Sequence, residues 1–188
     1  PPHAHEHYRR IIDNAGEGVL IVDSGRMPRF GNPRLETLFG YSLDEILRTR
    51  FESLIWDEDR AIVLQQFRRR MAGEKVAKTY ELRAKHKSGE PIWVHISATR
   101  IDWDGAPAIL AFVTDITIRH EAEETLRASV QQYRDLVNNT AEGIVIVLDD
   151  DRFGFVNPSF SRLLGVPAGD LVGRPISSII HPDDLTSV

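Results

Sequence analysis

Phe30-Gly31-Asn32-Pro33 recurs as Phe155-Val156-Asn157-Pro158, a shift of 125 residues. The flanking residues recur at the same shift. Tyr8-Arg9 matches Tyr133-Arg134, Asn14 matches Asn139, and Glu17-Gly18 matches Glu142-Gly143. Ile21-Val22 matches Ile146-Val147, and Leu38 with Gly40 matches Leu163 with Gly165. Ser53, Ile55 and Asp59 match Ser178, Ile180 and Asp184, and no gap is needed from Tyr8 to Val63. A period of this length is a domain, not a solenoid repeat. The chain of 188 residues is therefore expected to hold one complete unit and the first half of another.

Within the first unit, Tyr8, Ile11, Ile12 and Ala15 fall on one helical face. Gly18–Asp23 is a β-branched apolar run and reads as a strand, followed by a Ser24-Gly25-Arg26 turn and a short strand to Gly31. Asn32-Pro33 then turns strand into helix. The amide accepts from free backbone N–H groups and the proline ring suits the first helical position, so Asn32 and Asn157 are expected helix caps. Leu35, Leu38 and Phe39 form the inner face of that helix, closed by Gly40. Leu43–Leu47 is a second short helix. Asp57–Ala72 is a longer one, with Val63, Phe67 and Met71 inward and Arg68-Arg69-Arg70 as a solvated basic end.

From Thr79 the period becomes two. Tyr80, Leu82 and Ala84 alternate with Glu81, Arg83 and Lys85, and Ile92, Val94, Ile96 and Ala98 alternate with Trp93, His95, Ser97 and Thr99. Ala108–Asp115 is a last strand after an Asp104-Gly105 turn. Two strands, several helices and three further strands predict an α+β unit, with helices over one face of a five-stranded antiparallel sheet. Phe39, Trp56, Phe67, Tyr80, Val94 and Phe112 are its expected inner wall and the candidates for a ligand pocket. The domain reading is a tail at 1–7, a unit at 8–116, a linker helix at 117–139 and a half unit at 140–188. In that half unit Leu163, Leu164, Leu171, Ile176, Ile179 and Ile180 are expected to lie exposed and to drive self-association.

The linker helix repeats Ala122, Leu126, Val130, Tyr133 and Val137 at three or four residues. Such a narrow apolar stripe wants a partner helix, so a homodimer through the N-terminal and linker helices is expected. At its start Asp115, Thr117 and Arg119 form a candidate exit joint: the carboxylate holds the cap N–H groups and the guanidinium.

Several function classes are disfavoured by composition and motif. The net charge of −5 gives no pull toward nucleic acid or an anionic membrane. The chain has no cysteine, which removes disulfides, thiolate nucleophiles and a cysteinyl flavin, and fits a cytoplasmic setting. No apolar run spans a bilayer. No phosphate-binding glycine loop occurs, so no catalytic residue is assigned to this stretch. Asp149-Asp150-Asp151 reads as a hairpin turn and not as a metal site, Asp59 and Asp184 read as helix-start charges, and His86 and His95 as hydrogen-bonded or exposed histidines; no metal is assigned.

The order and spacing of these segments resemble the PAS sensory domain, twice over. The residues that carry the resemblance are EGVLIVD, the asparagine of FGNP, LFGYSLDEIL, WDEDR, KSGEPIWVHIS and AFVTDITIRHEAEETLR, then GIVIV, FVNPSF, LLG and IIHPDD in the second copy. The resemblance implies the tandem sensory region of a bacterial signalling protein, with a sensor histidine kinase as the expected context and a diguanylate cyclase or transcription regulator as alternatives. It implies a small ligand or cofactor between helices and sheet, or a ligand-free dimerisation module, with helices relaying state to a C-terminal output domain. Heme-binding relatives place a histidine on the long helix; Asp57–Ala72 has none, so heme is not expected.

Overall fold

The computed structural model describes Ile12 and residues 16–180, which fall into two compact units divided between Ala122 and Glu123. The tail at 1–7, most of the first helical stretch, and His181 and Asp184 lie outside the described residues.

Unit one begins with β1 (Gly18–Asp23) and β2 (Pro28–Gly31), then α1 (Arg34–Phe39), α2 (Leu43–Leu47), a 3₁₀ turn (Phe51–Leu54) and α3 (Arg60–Met71). It closes with β3 (Thr79–Lys85), β4 (Pro91–Trp103) and β5 (Ala106–Asp115). The sheet is antiparallel throughout, in the order β2-β1-β5-β4-β3. This is the expected α+β architecture. β4 runs four residues past Thr99 because Asp104 and Gly105 take positive φ (53° and 78°), giving a tight turn that keeps Arg100–Trp103 paired with Ala106–Ile109.

Local chemistry sets the helices. Ser42 Oγ accepts from Glu45 N while Glu45 Oε2 accepts from Ser42 N, a reciprocal cap that starts α2. Gly40 ends α1 at φ 74°, and a Cβ there would meet the His86 ring at 2.6 Å. Leu35, Phe39, Ile46, Phe51, Val63 and Phe67 from these elements pack on Leu20, Leu82, Val94 and Ile109 of the sheet.

Asp59 does more than charge a helix start. It makes no side-chain cap on α3; its carboxylate instead accepts from Arg83 N at 2.9 Å, Arg83 Nε at 3.0 Å and Arg83 Nη2 at 2.8 Å. The α3 entrance is thereby bolted to β3. The Arg83 hydrogen bonds hold the Asp59 carboxyl below its ordinary value, against the opposing effect of partial burial.

α4 (Thr117–Asn139) has 23 residues and none is buried. Unit two contains β6 (Val145–Val147), β7 (Phe153–Val156), α5 (Pro158–Leu164), α6 (Ala168–Leu171) and a 3₁₀ turn (Ile176–Ile179). Its apolar residues make a small core of their own. Phe153, Val156 and Leu171 are buried, with Leu164, Ile176 and Ile179 packed against them. The expected exposure of this set is therefore corrected: only Leu163, 76% exposed, stands clear. Asp151 takes φ 59° in the β6–β7 turn, and Asp150 pairs with Arg152 at 3.4 Å.

Candidate ligand cavity and signal exit

Between the helices and the inner face of the unit-one sheet lies a cavity of about 60 Å³. Phe39, Phe67 and Tyr80 line it, as do Leu20, Phe51, Ile96, Ala98 and Ala111. Val94 is fully buried in the core without reaching the cavity. Two of the sequence candidates are corrected. Phe112 is 37% exposed and faces the opposite side of the sheet, because its register partners are Val19 and Ser97, whereas the inward positions of β5 are Ile109, Ala111 and Val113. Trp56 is half-buried and does not line the cavity; its backbone N–H donates to Arg83 O and its ring lies 5.9 Å from Lys85 Nζ.

The residue that the sequence reading misplaced is Arg70. It is 6% exposed and lines the cavity, where a solvated helix end was expected. Only Arg68 and Arg69 of the triplet face solvent. Arg70 continues the inward series Val63, Phe67, which a step of three residues after Phe67 reaches as readily as the step of four to Met71. Its Nη2 donates to Ala77 O at 2.6 Å, and its Cζ lies 5.7 Å from the Tyr80 ring centroid. Burial raises the Tyr80 phenol above its ordinary value, and the neighbouring guanidinium opposes that rise. Among lining residues, Arg70 is the only ionised group and Tyr80 the only other polar side chain.

At the C-terminal end of the central strand, β5 passes into α4 through a stitched corner. Asp115 Oδ1 accepts from Thr117 N at 2.8 Å, and Thr117 Oγ1 accepts from Trp93 N at 3.0 Å. Ile116 N donates to Trp93 O at 2.9 Å. Arg119 is corrected: its Nη2 donates to Glu81 Oε1 of β3 at 2.6 Å, two strands across from the expected Asp115. The Arg119 hydrogen bond holds the Glu81 carboxyl below its ordinary value. The Trp93 ring stacks on His120 with centroids 3.8 Å apart. β3, β4 and β5 thus all reach the first turn of α4. His95 Nδ1 lies 3.6 Å from Glu81, and His86 Nδ1 is 2.9 Å from Ser88 Oγ.

The paired asparagines are staples as well as caps. Asn157 Oδ1 accepts from Phe160 N and from Ile144 N, both at 2.9 Å, so it caps α5 as expected. Its amide nitrogen donates to Val137 O and Glu142 O, each at 2.9 Å. Asn32 makes the equivalent bonds to Val19 N, Ile12 O and Glu17 O, but no side-chain cap on α1, which is a correction. Both side chains are fully buried. Each asparagine ties the entering helix to the first strand, a role that one residue's type cannot announce.

The sequence profile of the PAS fold family matches residues 6–116, more than half of the chain, and a second PAS-domain profile matches residues 131–187. The chain belongs to the PAS family. Its PAS units are similar to those of multidomain signalling proteins. Sporulation kinase A of Bacillus subtilis is 25% identical over 178 residues, which is 94% of this chain and 29% of the relative. The oxygen sensor protein DosP of Escherichia coli is 23% identical over 175 residues, 91% of this chain and 20% of the relative. The probable diguanylate cyclase DgcE of the same species is 28% identical over 142 residues, 74% of this chain and 13% of the relative. The chain thus spans less than a third of the length of these curated relatives. Among solved PAS structures, a PAS domain from Colwellia psychrerythraea superposes with a TM-score of 0.53 at 19% identity, covering 61% of this chain and 98% of the other. A domain of a sensory box sensor histidine kinase/response regulator from Geobacter sulfurreducens gives 0.51 at 25% identity, covering 60% and 94%. Among the described residues, no helix is long and apolar enough to cross a membrane.

Proposed function

We propose that this tandem PAS region is the cytoplasmic input and dimerisation module of a signal-transduction protein, with a histidine-kinase output domain to which α4 and the second unit carry the state of the unit-one cavity. The observation that carries this reading is the exit corner. Trp93 and Thr117 join β4 to the first turn of α4, and Glu81 and Arg119 join β3 to it. Tyr80 and Leu82, on either side of Glu81, line the cavity, so a change in β3 at the cavity wall is felt at α4.

The cavity favours a small ligand. At about 60 Å³ it is several-fold below the roughly 300–1,000 Å³ of drug-sized sites, and its lining offers no histidine to ligate a heme iron and no cysteine for a cysteinyl flavin. The test is a cavity-filling substitution. In the full-length protein, Ala98→Leu is expected to lock autophosphorylation in one state while the unit stays folded. A variant that responds like wild type would count against the reading.

A second reading, a PAS module that only dimerises, is favoured by the apolar side chains of α4. Ile118, Leu126, Val130, Tyr133 and Leu136 all stand exposed. The two readings separate under Ala98→Leu, since a pure dimerisation module keeps its output when the cavity is filled.

A further inference from the structure

Arg70 is an expensive residue to place where it stands. A buried guanidinium loses its hydration and needs acceptors for several N–H donors. Nη2 finds one neutral carbonyl, Ala77 O, and Tyr80 is its other polar neighbour, with the cation resting beside the ring. No carboxylate of the described residues pairs with it. The opposing walls, including Leu20, Ile96 and Ala98, are apolar. The cavity therefore has one cationic, hydrogen-bonding end and an apolar remainder.

We propose that the unit-one cavity binds a small aliphatic monocarboxylate, its carboxylate held by Arg70 and Tyr80 and its tail against Leu20, Ile96 and Ala98. The inference rests on the ligand-sensing reading above and names the ligand class. The guanidinium fork matches a carboxylate in the plane of its two oxygens, and the phenol donates a further hydrogen bond. A dicarboxylate or a phosphate ester would press a second polar end against the apolar wall, which carries no donor for it. The volume suits a short chain. An entry route adjoins the site. An open groove of about 540 Å³ at the β3 edge shares Val63, Tyr80 and Leu82 with the cavity, so these side chains stand between the two.

The test titrates the purified chain with the n-alkanoates from acetate to octanoate, and in parallel with the n-alkanols of equal length, by calorimetry and thermal unfolding. One alkanoate length is expected to bind best, at least about tenfold tighter than the matched alkanol, and to raise the melting temperature. Arg70→Gln should weaken that alkanoate by at least about tenfold and leave the alkanol unchanged. Tyr80→Phe should weaken it less. Alkanols that bind as well as alkanoates, or an Arg70→Gln variant with undiminished binding, overturn the carboxylate assignment while the cavity still counts as a ligand site. Binding by neither series also overturns it, and the sensing reading is then judged separately by Ala98→Leu. If circular dichroism shows that Arg70→Gln is unfolded, the alkanoate-to-alkanol ratio on the wild-type chain decides alone.

Discussion

The hydroxyl of Thr117, the first residue of α4, accepts the backbone N–H of Trp93 in β4 at 3.0 Å. A helix that follows β5 in sequence is therefore anchored on β4. Thr117→Val keeps the shape and removes the acceptor. It is expected to lower the stability of unit one by about 1 kcal/mol and to shift the basal output of the full-length protein, whereas Thr117→Ser should restore both. Urea unfolding and autophosphorylation, measured on the same variants, check this.

The Arg119 contact predicts where coupling resides. In double-mutant cycles read by the output of the full-length protein, Glu81→Ala and Arg119→Ala should be strongly non-additive. Asp115→Ala and Arg119→Ala should be closer to additive, because Asp115 serves Thr117 N while Arg119 serves Glu81. Equal coupling in both cycles would contradict the route through β3.

Asp59 gives a pH signature. Its folded carboxyl lies below the ordinary value because of Arg83, so the pair's stabilisation is complete above about pH 4 and is lost as pH falls further. Asp59→Asn should be less stable than wild type at neutral pH, with a shallower acid decline. The difference between the two proteins in thermal melts should be constant from pH 7 to about pH 5 and narrow as pH falls from about 4 to 3.

Asn32 is buried and serves three backbone groups through one amide. Asn32→Ala should cost unit one about 2–4 kcal/mol, since it leaves an N–H and two carbonyls without their partner. Asn32→Asp should not rescue it at neutral pH, because a carboxylate cannot donate to Ile12 O and Glu17 O. Chemical denaturation of the three proteins settles the order.

The exposed stripe of α4 predicts self-association. Leu126→Glu with Val130→Glu should shift the chain from dimer toward monomer in sedimentation velocity, with little change in the melting temperature of unit one. A wild-type chain that is monomeric throughout the micromolar range would remove the basis for a dimerising linker.

The sheet was readable wherever polar and apolar residues alternate. β3 and the first part of β4 declare their faces, and Tyr80 and Val94 stand on the expected side. β5 does not declare them: Ala-Ile-Leu-Ala-Phe-Val is apolar at both parities, and only pairing with β1 decides that Phe112 looks outward. Trp56 follows a 3₁₀ turn in a stretch with no period to read. Arg70 was legible in principle as the next inward step after Phe67, but three consecutive arginines look like a solvated terminus. The asparagines were legible as a pair, not as staples, because the groups they hold lie 13 to 20 residues away in the chain.

Val137 O, gripped by Asn157, and Ile12 O, gripped by Asn32, occupy equivalent places in the two units. The same socket thus receives whichever helix arrives, and one 125-residue period contains a socket, a sheet and a strut. Such pieces can be concatenated without an adaptor. The cost of that modularity is phase. A single residue inserted in α4 would break its apolar stripe by about 100° about the helix axis, while a whole period added to the chain would leave the fit of each plug in its socket unchanged.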